Sequence, residues 1–327
     1  MGRLKPKRQS RATRAGSPAA AFTHQPTIQR FAFQAMGSPC ELQIETAGTR
    51  ASAVADTVIA EVRRLEARYS RYRADSFLSE INRVAAAGGA IDVDPETAGL
   101  LDYSEACFHE SEGRFDITSG LLRKAWRFQG GGLPDAALIE SLLAHVGWSR
   151  LRWQKPRLEF PEPGLELDLG GVVKEFAADR AATLLVEAGL PHAMVNLGGD
   201  IRVAGPRADG SAWRIGVRDP RTPDGLLHTV RLQRGAITTS GDYERCMVVD
   251  GVRYGHVLDP RTGWPVRGLA SVTVVADFCV VAGSASTIAM LHEGRASEWL
   301  SALGLAHLWV TTDGEVGGSL APKPPNL

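Results

Sequence analysis

The spacing of apolar positions changes several times along this 327-residue chain. Phe31–Gln34 and Cys40–Thr46 alternate apolar and polar residues around Met36-Gly-Ser-Pro39, which predicts two strands joined by a turn. Val54, Val58, Val62, Leu65 and Tyr69 then recur at helical spacing and would share one apolar face. Ser70–Ser76 breaks that pattern, and Phe77–Val84 reads as a short helix. Asp94-Pro95 opens another, with Asp as N-cap and Pro in the first turn; it runs to about Glu112 and stops at Gly113. Gly130–Pro134 reads as a loop and Asp135–His145 as a helix. Strands are predicted near Leu151–Gln154, Arg157–Phe160 and Glu166–Leu169. Val173–Ala188 is amphipathic and ends at Gly189, a C-cap signal.

From His192 to Ala276 the pattern is nearly all β, punctuated by Gly, Pro and Asp. Ala282–His292 and Arg295–Leu303 return to helical spacing, and His307–Thr311 with the Asp313-Gly314 turn closes the body. There is no repeat and no βαβ alternation, so the predicted class is α+β, with largely antiparallel sheets and flanking helices. No linker divides residues 28–320, which are read as one domain of two intertwined lobes.

Composition narrows the picture. Apolar residues make up 44% and charged residues 23%, as in globular domains, and the net charge is zero. No nucleic-acid partner is implied. The basic residues are unevenly placed: residues 1–40 hold seven Lys/Arg and no Asp/Glu. Residues 1–27 are read as a disordered basic tail and 321–327 as a flexible one. The apolar stretch after Arg14 is too short for a signal peptide, and no Cys near the start could take a lipid. Val272–Leu291 carries Asp277, Gly283 and several Ser/Thr, so it reads as a strand and a buried helix, with no integral membrane segment. Cys40, Cys107, Cys246 and Cys279 form no CxxC. A reducing cytoplasm fits, and four cysteines are also compatible with export.

Candidate chemistry sits in Gly-bearing segments. Asp168-Leu-Gly-Gly-Val-Val-Lys174 lies where a strand passes into a helix; adjacent glycines admit close backbone approach, and a helix N-terminus with Lys174 one turn in suits a phosphate or pyrophosphate. A tight turn with a solvated Lys is an equal reading. Asn196-Leu-Gly-Gly-Asp200 reads as a hairpin turn needing positive φ. Thr239-Ser-Gly-Asp242 could present hydroxyls to a ligand or close a self-bonded turn. Arg114-Phe-Asp-Ile-Thr118 could be a binding segment or an ion-paired strand. Tyr254-Gly-His-Val-Leu-Asp-Pro-Arg-Thr-Gly-Trp-Pro265 puts His256 at a strand end beside a turn, poised for proton transfer or merely exposed on a hairpin. HExxH, GxSxG, Walker A and zinc-spaced His/Cys patterns are absent.

Together and in this order, these segments resemble the ApbE-like family of FAD:protein FMN transferases. The resemblance rests on Ala35-Met-Gly-Ser38, Ser70-Arg-Tyr72 through Ser79-Glu-Ile-Asn82, Gly113–Thr118, Asp168–Lys174 continuing to Asp179, Val195–Asp200, Thr239–Asp242, Tyr254–Pro265 and Ser271–Val274. It covers about residues 28–312 and implies an ApbE/T-fold-like architecture. It also implies transfer of FMN from FAD to a Thr or Ser hydroxyl of an acceptor protein, such as a redox subunit, with release of AMP. By resemblance, Met36, Tyr72, Arg114, Phe115, Asp116, Asp168, Lys174 and Val257 line the FAD site, and His256 assists deprotonation of the incoming hydroxyl.

The family's Mg²⁺ is implied to bind the Gly171 carbonyl and an Asp and Thr four residues apart, one helical face. Here that pair reads Gly283 and Thr287, so the Asp is missing. Glu175 stands where the family usually has Gly. These departures predict a weakened metal site that Gly283→Asp would repair, or a ligand replaced by Glu175. Two other functions remain open: a flavin-binding protein with little turnover, and a pyrophosphatase cleaving FAD to FMN and AMP.

Overall fold

The computed structural model describes residues 25–128, 132–222, 225–243 and 245–321. Most of both predicted tails, and the start of the Gly130–Pro134 loop, lie outside the described residues. Strand β1 (Thr27–Ala35) pairs antiparallel with β2 (Ser38–Thr46) through a two-residue turn in which Met36 and Gly37 both take positive φ, 55° and 67°. Strand β1 therefore begins one residue before the predicted domain boundary. Helix α1 (Ala51–Tyr69) buries Ala55, Val58, Val62, Leu65 and Tyr69, the predicted face apart from half-buried Val54. Ser76 caps α2 (Phe77–Ala87) by accepting the Ser79 N–H at 3.0 Å. After β3 (Gly89–Asp92), Asp94 caps α3 (Pro95–Glu110) by accepting the Glu96 N–H at 3.0 Å.

A 3₁₀ segment (Ile117–Lys124) leads to α4 (Ala136–Leu143), β4 (Arg152–Gln154), β5 (Arg157–Phe160) and α5 (Val173–Glu187). Short antiparallel strands follow: β6 (Ala193–Leu197), β7 (Asp200–Val203), β8 (Trp213–Arg218), β9 (Leu226–Leu232), β10 (Gly235–Gly241), β11 (Cys246–Val249), β12 (Val252–Gly255) and β13 (Leu269–Ala276). Helices α6 (Cys279–His292) and α7 (Ala296–Ala302), then β14 (Ala306–Thr311) and β15 (Val316–Gly317), complete the described body.

The main sheet has eight strands in the order β1-β2-β6-β7-β10-β13-β14-β15, with every neighbouring pair antiparallel. Helices α1, α5 and α6 cover one face, and the shared core includes Leu42, Ile44, Val195, Val272 and Ala289. The β8–β9 hairpin covers part of the other, where Trp213, Ile215 and Val217 pack on Val203, Ile237 and Val310. Leu158 and Phe160, from the small β3-β5-β4 sheet, belong to the same core as the main sheet, so the two lobes are not independently packed. The α+β class with largely antiparallel sheet is as predicted. Among the described residues no helix is long and apolar enough to cross a membrane.

Three local differences have physical causes. Glu166–Leu169 is extended but is not a strand. Its backbone is satisfied by a side chain and one carbonyl: Leu167 N–H donates to Asn82 Oδ1 (2.7 Å), Asn82 Nδ2 donates to the Leu167 carbonyl (2.9 Å), and Asp168 N–H donates to the Ile117 carbonyl (2.7 Å). Thr239–Gly241 is the end of β10, where Thr239 opposes Thr273 and Gly241 opposes Ser271, and Asp242 follows in a bend. Helix α6 starts three residues before Ala282 because Asp179, on α5, accepts the Cys279 N–H (2.8 Å) and the Val280 N–H (2.9 Å). That cap comes from another helix.

Candidate active site

The fold gathers the Gly-bearing segments into one cleft. Its walls are the segment from Arg114 to Arg123, the Asp168–Gly171 turn with the first turn of α5, and the β6–β7 turn. The end of β10, the residues just after β12 and the middle of α6 complete it. The β6–β7 turn is the predicted hairpin: Gly198 and Gly199 take φ of 64° and 98°, and Asn196 Oδ1 accepts the Gly199 N–H at 2.8 Å. Of the predicted site residues, Arg114, Phe115, Asp116, Asp168, Gly171, Lys174, His256, Val257 and Thr287 line the cleft.

His256 follows directly on β12, as its strand-end position predicts. It is half-buried, with its Nδ1 enclosed and the Arg245 backbone beside the ring. Burial, then the positive charges of Arg123 and Arg245, push its pKa down to about 4. The ring is therefore neutral at pH 7 and able to accept a proton. Asp259, in the following turn, is engaged in shaping it. Its side chain accepts the Arg261 N–H at 2.8 Å and pairs with the Arg261 guanidinium at 2.9 Å.

Asp168 and Asp116 are committed to the protein itself. Asp168 pairs with Arg71 at 2.8 Å and Arg123 at 3.4 Å, and accepts the Gly170 N–H at 2.9 Å. Burial opposes ionisation, but Arg123, Arg71 and the Gly170 N–H together hold its carboxyl below the usual range. Arg71 also donates to the Gly120 carbonyl (3.0 Å) and Glu166 (2.7 Å), tying the Asp168–Gly171 turn to the 3₁₀ segment. Asp116 accepts from the Thr118 N–H (2.8 Å), the Thr118 hydroxyl (2.7 Å) and the Trp148 N–H (2.8 Å). It is a cap and a loop clamp rather than one half of an Arg–Asp strand pair. The adjacent Arg114 keeps its Nε buried without a partner, and Phe115 is buried beneath Gly171.

At the other end of the cleft Lys174 Nζ pairs with buried Asp200 Oδ2 at 2.7 Å. Burial disfavours the ammonium, but the charges of Asp200 and then Glu175 outweigh it and hold the Lys174 pKa above its ordinary value. Glu175 is buried in the same place. Burial, then the negative charge of Asp200, push its carboxyl upward. The Thr287 hydroxyl is held 3.0 Å from Ser240 Oγ, which also meets Ser286 Oγ at 2.8 Å. Gly283 is not on the cleft wall. A β-carbon there would lie 2.4 Å from Glu175 Cγ and 3.0 Å from Glu175 Cδ. Glu175 thus fills the space that an Asp at 283 would need, so Gly283→Asp alone sets the new carboxylate against Glu175. That single variant overpacks the α5–α6 contact and should lose about 1–3 kcal/mol of stability, measurable by urea denaturation.

Met36 and Tyr72 stand outside the cleft lining. Met36 packs, half-buried, against the core from the β1–β2 turn. Tyr72 is 81% exposed, with its ring centroid 5.9 Å from the Arg71 guanidinium carbon. Arg71, Arg123 and Ser240 were not singled out from the sequence. Arg71 and Ser240 lie inside segments that were; Arg123 carries no motif signal. Among the described residues no three His, Cys, Asp or Glu side chains form a metal-ligating cluster.

The ApbE family model matches residues 36–309. The chain is 34% identical over 249 residues to a FAD:protein FMN transferase of Rhodobacter capsulatus, a match covering 73% of this chain and 47% of that one. The chain thus spans about half the length of that relative. It is 32% identical over 247 residues to the FAD:protein FMN transferase of Klebsiella pneumoniae, covering 74% of this chain and 75% of that one. Among solved structures, the ApbE protein of Thermotoga maritima superimposes with a TM-score of 0.83 at 30% identity, covering 91% of this chain and all of that one. The apo flavinyl transferase ApbE of Pseudomonas stutzeri gives 0.81 at 27% identity, covering 90% and 95%. A family match from residue 36 to residue 309, over most of the chain, places this chain in the ApbE family.

Proposed function

We propose that this cleft binds FAD and that His256 serves the transfer of its FMN half to a Thr or Ser hydroxyl of an acceptor protein. The chain is a flavin transferase of the ApbE family. The observation that supports the residue roles most is the convergence of a neutral His256 with Lys174, Arg114, Arg123 and the Gly-rich start of α5 on one cleft. Lys174 and the two arginines offset the charge of a diphosphate, and Gly170 and Gly171 let its oxygens approach the backbone. Exposed Tyr72 supplies a ring face for the isoalloxazine.

In the transfer, the acceptor hydroxyl oxygen attacks the phosphorus of the FMN half. The bond from that phosphorus to the bridging oxygen breaks, AMP leaves with that oxygen, and the hydroxyl proton passes to His256. His256 then releases the proton to solvent. The residues also fit a divalent cation. Glu175 and Asp200 place two carboxyl groups beside one ammonium, and Thr287 and Gly171 line the same cleft. When bound, Mg²⁺ would neutralise charge on the diphosphate oxygens. Gly171 and Thr287 would hold it, and Gly283 would not. The acceptor is a protein with an accessible hydroxyl, such as a redox subunit, and the protein works in the cytoplasm on this reading.

Binding tests the diphosphate part of the reading. Tryptophan-quenching titrations should give tighter binding for FAD than for FMN or riboflavin; equal affinity for riboflavin would remove the diphosphate site. The acid side of the rate profile tests the base. Only neutral His256 can take the proton, so activity from this group is present above its folded pKa and lost as pH falls through it. The acid limb of kcat/KM should therefore lie near pH 4, not near the ordinary 6.5 of histidine. A limb between pH 6 and 7 would count against this environment for His256.

A further inference from the structure

Beyond the residues assigned above, the α5–α6 contact contains a buried carboxyl with no assigned role. Glu175 is only 7% exposed, its Oε2 is fully enclosed, and the Asp200 carboxyl lies within hydrogen-bond reach of it. Its neighbour Asp200 is already paired with Lys174 at 2.7 Å. Two buried carboxyl groups thus share one ammonium, and ionising both is costly unless a further cation meets them. The same cleft is lined by Thr287, whose hydroxyl meets Ser240, and by Gly171. These are oxygen donors of the kind a small hard cation takes. The room for Glu175 is made by Gly283. With any β-carbon at 283, Glu175 Cγ would sit 2.4 Å away and its Oε1 3.1 Å away.

We infer that Glu175 supplies the carboxylate ligand of the divalent cation at this cleft, reaching it from α5 through the space that Gly283 leaves open on α6. The inference rests on the reading of the cleft as a Mg²⁺-assisted FAD site. Glu175 and Gly283 then act as one pair, in which a carboxylate on either helix excludes the other. Gly283 takes part only by lacking a side chain.

The test is Mg²⁺ binding to the FAD-saturated full chain by isothermal titration calorimetry, without acceptor. Glu175→Gln keeps the shape and removes the charge, and should weaken Mg²⁺ binding by about 10–100-fold. Its melting temperature without metal should not fall below the parent's, because the Gln amide can donate to Asp200 as the protonated Glu175 does. The exchanged pair, Glu175→Ala with Gly283→Asp, should recover parent-like affinity, since the new carboxylate stands one helical turn from Thr287. Parent-like Mg²⁺ affinity in Glu175→Gln would overturn the assignment while leaving the FAD site intact. An exchanged pair that binds no better than Glu175→Gln would overturn the pairing with Gly283. A parent that transfers FMN yet binds no Mg²⁺ in the presence of FAD would overturn both the inference and the metal reading beneath it.

Discussion

Replacing His256 with Ala should lower the rate of FMN transfer by about 10²–10⁴-fold, the usual loss when a positioned general base is removed. FAD affinity should change little, because the groups proposed to hold the diphosphate, Lys174, Arg114 and the start of α5, are untouched. The separation of the two effects is the informative part. A base acts as the hydroxyl loses its proton, so its removal lowers kcat and kcat/KM together. Stability is expected to hold, since His256 is only half-buried and lies outside the main core. Stopped-time transfer assays on the variant and parent, with binding measured separately, give the comparison. Transfer at the parent rate would exclude His256 as the base. Asp242, buried beside the same hairpin with its carboxyl pushed up by burial, would be tested next.

The second large effect is expected at Lys174. Lys174→Met removes the one ammonium that meets Asp200 at 2.7 Å and leaves Asp200 and Glu175 facing each other in the interior. Breaking one side of a buried pair costs about 3–5 kcal/mol, more than removing both partners. The single variant should therefore be much less stable in urea. Lys174→Met combined with Asp200→Asn should regain most of that stability. FAD binding should remain weak in both, because the cation proposed to face the diphosphate is gone in both. A single variant as stable as the parent would mean that this pair is solvated and not structural. A double variant that binds FAD normally would remove Lys174 from the phosphate site.

Much of this was readable in the residues, and what was not has a common cause. Asn196-Leu-Gly-Gly-Asp200 announces its hairpin because two consecutive positive-φ residues are wanted at the turn, and both are Gly. Asp94-Pro95 announces α3 because cap and first turn are local. His256 at the end of a short strand was legible for the same reason. The misread segments depend on distant partners. Glu166–Leu169 has a strand's composition, yet Asn82 and the Ile117 carbonyl take its backbone groups before a ladder can. The start of α6 is set by Asp179 on α5. Thr239-Ser-Gly-Asp242 has turn residues, but pairing with β13 keeps Thr239–Gly241 extended. Asp116 and Asp168 were identified as site residues, while their protein partners Trp148, Arg71 and Arg123 could not be foreseen. The sequence marks both Glu175 and Gly283 as unusual, but that one fills the space of the other is visible only once α5 packs on α6.

The central claim is covalent transfer of FMN through this cleft. Its most direct test is to incubate the purified chain with FAD, Mg²⁺ and a flavin-free redox subunit bearing an acceptor Thr or Ser, then run a denaturing gel and read flavin fluorescence. The account predicts a fluorescent acceptor band that needs FAD, gains the mass of FMN less water, appears with equimolar AMP and is nearly lost in His256→Ala. Free FMN and AMP with a dark acceptor band would identify hydrolysis instead. Intact FAD with no labelled protein would reduce the chain to a flavin binder, and either result would contradict the account.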